Sequence, residues 1–132
     1  MPQVDGVSHI AFTVTDLDRS MKWYSEVLGW QSMMEAEEDG IRYSLGMLPH
    51  TNLFLALRQH ENGTGDAFDP GRTGLDHAAF GVPTRAALDE WEAEFKAKGV
   101  TYTETIDAPY GHVLNFKDPD NIALEIFAMP GS

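Results

Sequence analysis

Val7-Ser8-His9-Ile10-Ala11-Phe12-Thr13-Val14 returns 68 positions later as Leu75-Asp76-His77-Ala78-Ala79-Phe80-Gly81-Val82. Both copies carry histidine third, a phenylalanine sixth and valine last, and both lead into a helical pattern. The chain is therefore read as one module used twice. Alternation gives the stretch its physical meaning, because successive side chains on a strand point to opposite faces. Ile10, Phe12 and Val14 form one row, and His9, Ala11 and Thr13 the other. In the second copy Ala78, Phe80 and Val82 oppose His77, Ala79 and Gly81. The bulky row suits packing under a helix, and the small row leaves room for a ligand beside each histidine.

The bulk numbers exclude several classes. A chain of 132 residues suits one domain built of two halves. Its formal net charge of −12 disfavours nucleic acid, which needs clustered Lys and Arg, and disfavours an anionic membrane surface. Without cysteine there is no disulfide framework, zinc ribbon or thiol nucleophile. The start Met1-Pro2-Gln3-Val4-Asp5 has neither basic residues nor a long apolar run, so no secretory signal is expected. No stretch approaches the roughly 20 apolar residues of a membrane span, and a cytoplasmic location is the expectation.

Taken in order, Asp16 is placed to cap a helix over Leu17–Leu28, with Leu17, Met21, Tyr24 and Leu28 at helical spacing and Gly29 to end it. Trp30 to Glu38 reads as a strand, Asp39-Gly40 as a hairpin turn, Ile41 to Met47 as the returning strand and Asn52 to Arg58 as a fourth. Residues 59–74 contain four glycines and a Pro70-Gly71 pair, and are read as a linker. Module one thus covers about residues 5–58 and module two about 75–128. In the second, Pro83-Thr84 opens a helix whose stripe is Leu88, Trp91 and Phe95, closed by Gly99. Val100 to Glu104 is β-rich, Asp107 to Gly111 reads as a loop, and His112 to Lys117 as a strand. A turn at Asp118-Pro119-Asp120-Asn121, with Asn121 able to turn left-handed, precedes the last strand, Ile122 to Ala128. Each half reads strand, helix, strand, strand, strand.

The last strand carries the chemistry. Ile122, Leu124 and Ile126 form its apolar row, which puts Glu125 on the opposite face with Ala123. A carboxylate inside an apolar strand is costly to bury unless a cation or strong donors meet it, and no arginine or lysine lies in the strand. If the faces bearing His9, His77 and Glu125 converge, two neutral imidazoles and a carboxylate would bind a divalent metal with open positions for substrate.

On these residues the chain resembles the vicinal oxygen chelate (VOC) superfamily, which includes glyoxalase I, extradiol dioxygenases, fosfomycin-resistance enzymes and bleomycin-binding proteins. The likeness rests on residues Val7 to Ser20, Trp23-Tyr24-Ser25-Glu26-Val27-Leu28-Gly29, Leu75 to Phe80, and Asp118 to Glu125. It implies an α+β fold of two tandem βαβββ modules whose mixed sheet curves into a cup, with the helices outside. It also implies a metal at the base, held by His9, His77 and Glu125. Glyoxalase I usually adds a second glutamate from the last strand of module one, but the equivalent position here is Ala56. Extradiol dioxygenases carry a distal histidine and a tyrosine near the final Asp-Pro. Here His112 is too close and Lys117 follows Phe116 instead. Fosfomycin enzymes need basic residues for a phosphonate, which the end Ala128 to Ser132 lacks.

The resemblance leaves three functions open. One is a metal-dependent, glyoxalase-like lyase or isomerase acting on a small substrate with vicinal oxygens, using Fe2+, Mn2+, Zn2+ or Ni2+. A second is metal-free sequestration of an apolar or aromatic antibiotic, and the third is ring-cleaving dioxygenation. The expected cup is lined by Thr13, Phe54, Ala56, Arg58, Ala79 and Phe127. Tyr110 and His112 are candidates for a general acid or base, with a structural role as the alternative. Arg58 either pairs an anionic substrate or ends its strand. His50 and His60 are expected at the surface, and Trp23 and Trp91 in helix stripes. Family members close their cups within one chain or across a homodimer, and for a chain this short the resemblance implies a homodimer.

Overall fold

Asp16, in extended conformation, accepts a hydrogen bond from Arg19 N and starts helix α1, Leu17–Leu28. Thr84 does the same through Ala87 N for helix α2, Arg85–Lys98. Left-handed Gly29 and Gly99 end the two helices. After Gly29 the chain folds back through Trp30 N–H to Tyr24 C=O, and after Gly99 through Val100 N–H to Phe95 C=O. The computed structural model describes residues 1–132 in two units, Met1–Asp66 and Ala67–Ser132. No helix is long and apolar enough to cross a membrane.

In the first unit α1 follows strand β1, His9–Thr13, and precedes β2, Gln31–Glu38, β3, Ile41–Met47, and β4, Phe54–His60. The sheet order is β1-β4-β3-β2, with β1 parallel to β4 and the other pairs antiparallel. The second unit repeats the plan with β5, Ala78–Val82, β6, Ile106–Ala108, β7, Gly111–Lys117, and β8, Ala123–Ala128, in the order β5-β8-β7-β6. Two helices and two four-stranded mixed sheets are the expected α+β pair of βαβββ modules.

One face of each sheet packs under its helix. Phe12, Leu55 and Leu57 are buried with Leu17, Tyr24, Val27 and Leu28 in the first unit, and Leu114, Phe116, Leu124 and Ile126 with Leu88 and Phe95 in the second. Each such side chain contributes about 1.5–3 kcal/mol by leaving water. Trp30 anchors the first core: its Nε1–H donates to Leu55 C=O at 2.9 Å, and its ring lies over Gly46. Phe95 and Phe116 stack at 4.5 Å between ring centroids in the second.

The structure departs from the sequence reading in four places. Strand β4 continues to His60, two residues into the expected linker, because β3 offers Ile41 and Arg42 as partners for His60 and Gln59. The β-rich run Val100 to Glu104 makes only an isolated bridge, Tyr102 to Phe116, since Val100 is used to close α2. The edge strand is Ile106–Ala108 instead, and the expected loop from Asp107 shrinks to a tight turn at Pro109-Tyr110, with Ala108 paired to Gly111. Trp91, expected in the buried stripe of α2, is half-buried and packs its ring 5.6 Å from Phe95. Asn121 does take the left-handed conformation (φ 68°), after Asp118 Oδ1 accepts from Asp120 N and Ile122 N.

A methyl group at Gly46 would stand 2.3 Å from the Trp30 ring and 2.5 Å from Gln31 C=O. Gly46→Ala should therefore destabilise the protein by roughly 1–3 kcal/mol through overpacking. Thermal unfolding checks this, and an unchanged Tm would show that both the Trp30 ring and the Gln31 carbonyl give way freely.

Candidate functional site

In the first unit the face away from α1 is set by register. His9 pairs with Phe54, Ala11 with Ala56 and Thr13 with Arg58, while β3 brings Leu45 beside Ala56 and Tyr43 beside Arg58. Ser8, His9, Ala11, Tyr43, Leu45, Phe54, Ala56 and Arg58 line a cavity of about 360 Å³ on this face. Its walls are mostly apolar, with His9 near one end and Arg58 near the other. Thr13 shares the face but borders a separate polar hollow with Gly40, Ile41 and His60. His9 Nδ1 lies 3.0 Å from Ser8 Oγ, leaving Nε2 clear of the Ser8 contact.

In the second unit Ala79 pairs with Glu125 and Gly81 with Phe127, and Asn115 flanks Glu125 from β7. His77 stands one residue before β5. Its Nε2 lies 3.6 Å from Glu125 Oε2, and its Nδ1 lies 2.6 Å from Asp76 Oδ1. A carboxylate only accepts, so in the neutral ring Nδ1 carries the proton and Nε2 presents its lone pair toward Glu125. Glu125 is 18 % exposed, and no lysine or arginine meets it. Phe127 closes the same face, its ring lying where a side chain at Gly111 would stand.

Two ligand atoms on a common zinc-sized ion lie about 3.0–3.5 Å apart, given metal–ligand distances near 2.0–2.2 Å. The His77–Glu125 separation is within a few tenths of an ångström of that, and the donor set suits a divalent ion. Within neither unit do three His, Asp or Glu side chains gather into one metal-sized group. His9 belongs to the first unit, and His77 and Glu125 to the second.

The remaining sequence candidates lie elsewhere. Tyr110 is exposed at the β6–β7 turn. His112 alternates onto the α2 side of its sheet with Leu114 and Phe116, and its Nδ1 meets Asp107 Oδ1 at 2.7 Å. Asp107 in turn accepts from Arg85 Nε of α2. This placement favours the structural role of the two considered for His112. Sequence reasoning passed over Ser8 and Asp76, which orient the histidines. The available signal was a polar residue immediately before each repeated histidine. Tyr43 was also missed, because only strand register puts it beside Arg58.

The pKa of His77 is raised above its ordinary value of 6.5, first by the hydrogen bond to Asp76, against a lowering from burial, and further by the charges of Glu125 and Asp76. A raised folded-state value means that this group's stability contribution is complete below pH 6.5 and is lost as pH rises through the folded value. In metal-free protein, an NMR titration should place the His77 midpoint above the ordinary histidine value of 6.5. Asp76→Asn should bring it down. A midpoint indifferent to that substitution would remove Asp76 as the anchor.

Residues 6–126 match the sequence profile of the Glyoxalase/Bleomycin resistance protein/Dioxygenase superfamily. The Arabidopsis thaliana lactoylglutathione lyase GLX1 is 31% identical over 125 residues, which take in 89% of this chain but 42% of that protein, so the chain spans less than half the length of this relative. A probable lactoylglutathione lyase of Vibrio parahaemolyticus is 28% identical over 91% of this chain and 88% of its own. Among solved structures, a glyoxylase/bleomycin resistance protein/dioxygenase domain from Frankia sp. EAN1pec superposes with a TM-score of 0.90 at 40% identity, covering 96% of this chain and 99% of that one. A fosfomycin resistance protein of Listeria monocytogenes, complexed with Mn(II) and a dihydroxypropylphosphonic acid, shares the fold with a TM-score of 0.72 at 20% identity, over 95% and 90% of the two chains.

Proposed function

The chain belongs to the Glyoxalase/Bleomycin resistance protein/Dioxygenase superfamily, and from that premise we propose a divalent-metal-dependent, glyoxalase-like lyase or isomerase acting on a small molecule with adjacent oxygens. The observation that carries this reading is the 3.6 Å approach of His77 Nε2 to Glu125 Oε2, with the imidazole turned by Asp76. His9 is the proposed third ligand, held by Ser8 as His77 is held by Asp76. The two relatives named as lactoylglutathione lyases support the reaction class, and the Listeria protein's complex with Mn(II) supports the choice of a divalent ion.

A bound ion would supply Lewis acidity toward the substrate's two oxygens. The chain's own residues do the rest. Asp76 and Ser8 fix ring orientation, so the ligand nitrogens wait in place. Leu45, Phe54 and Ala56 give the cavity beside His9 its apolar walls, which suit the carbon skeleton of a small substrate. With Ala56 where glyoxalase I usually has a second carboxylate, the proposed set has three protein ligands.

The apolar walls also favour a second reading, metal-free capture of an apolar or aromatic compound, and metal content separates the two. Protein purified without chelator should carry about one divalent ion per chain, as a three-ligand site implies. His77→Ala and Glu125→Gln should lose it while keeping the wild-type circular dichroism spectrum. An ion-free wild type, after incubation with Mn2+, Zn2+, Ni2+ or anaerobic Fe2+, would end the enzyme reading and leave sequestration. We further propose a homodimer. Mixing equal amounts of His9→Ala and Glu125→Gln chains should restore about a quarter of the metal if each site takes His9 from a second copy, since half of the dimers are then mixed and each of those has one intact site. No restoration would assign all three ligands to one chain.

A further inference from the structure

Arg58 is a half-buried cation with an unused face. The protein has 21 acidic residues against 9 lysines and arginines, and its other partly buried arginines, Arg42 and Arg85, hold carboxylates at 2.7–3.2 Å. Arg58 makes no ion pair. Its guanidinium lies 5.2 Å from the centre of the Tyr43 ring, and although Glu38 and Asp39 border a neighbouring hollow with it, neither reaches it. Without an ion pair the guanidinium keeps its donors free, in the planar fork that matches a carboxylate with two parallel hydrogen bonds. Arg58 also lines the mostly apolar cavity that holds His9.

The spacing fixes what would fit. Arg58 pairs with Thr13 and Phe54 with His9, so the two ends of the cavity lie four strand residues apart, about 13 Å between backbones at roughly 3.3 Å per residue. The cavity of about 360 Å³ between them admits one substituted aromatic ring. Leu45 and Ala56 lie between, and Tyr43 and Phe54 are the aromatic residues of the lining.

We infer that Arg58 is the specificity-determining anchor of this cavity, and that it selects a small aromatic carboxylate whose carboxyl group meets the guanidinium while its far end faces His9. The inference deepens the metal-enzyme reading by naming the substrate class, but the anchor itself works without an ion.

Isothermal titration with benzoate and its neutral isostere benzamide, in the presence of EDTA, tests the anchor. Wild-type protein should bind benzoate at least tenfold more tightly than benzamide. Arg58→Met should abolish that preference and leave benzamide affinity within twofold, while Arg58→Lys, which keeps the charge without the fork, should retain part of it. Equal affinities in the wild type, or a preference that survives Arg58→Met, would overturn the inference. Circular dichroism of both variants controls for folding. Metal content keeps the two readings apart. A protein that takes up an ion through His77 and Glu125 but ignores the carboxyl group sinks the anchor alone. A protein that holds no ion yet prefers benzoate through Arg58 sinks the metal enzyme alone.

Discussion

Every feature of the candidate site depends on a two-residue alternation under a helix. Once Phe12, Leu55 and Leu57 are committed to the underside of α1, and Leu124 and Ile126 to that of α2, the intervening side chains must face the other way. His9, Ala56 and Arg58 in one unit, and Ala79, Glu125 and Phe127 in the other, owe their placement to neighbours they never touch. A slip of one residue in either parallel pair would bury the ionisable groups beneath a helix and expose the core. The energy that holds the register is therefore also the energy that holds the site.

Facing the open side of the sheet would not alone make these residues useful. Both histidines are oriented by the residue just before them, so orientation comes from local sequence and position from the sheet. Ser8 and Asp76 differ in what they impose. A hydroxyl can give or take a hydrogen bond, whereas a carboxylate only accepts, and so only His77 has its tautomer decided by its neighbour. The repeat is thus chemically unequal at the point where its two copies look most alike.

Much of the fold was legible because its signals are local. The bounds of α1 follow from Asp16 and Gly29, and the Asp39-Gly40 turn sets the β2–β3 hairpin. What escaped depends on partners distant in sequence. The final residues of β4 are strand only because β3 is long enough to pair with them. The Val100 run looked like a strand because its β-branched content is real, but closing α2 took precedence. The site was half legible in the same sense. The positions of His9, His77 and Glu125 follow from the repeat and from alternation, as does that of His112 on the side of Leu114 and Phe116, whereas Tyr43 beside Arg58 needed a register that no single stretch encodes.

The contact between Gly111 and Phe127 has a consequence for how such a protein can change. Gly111 is barred from gaining a side chain three times over, by its φ of 151°, by the ring of Phe127, which a Cβ would approach to 2.3 Å, and by Ala128 C=O at 2.9 Å. Phe127 itself is under none of these restrictions. Replacing it with a smaller residue would widen the open face of β8 without asking anything of the backbone, while any change at Gly111 must wait for that replacement and still bear the conformational strain. Divergence at this wall therefore has a direction: the aromatic residue is free to vary first, and the glycine beside it is the slower clock.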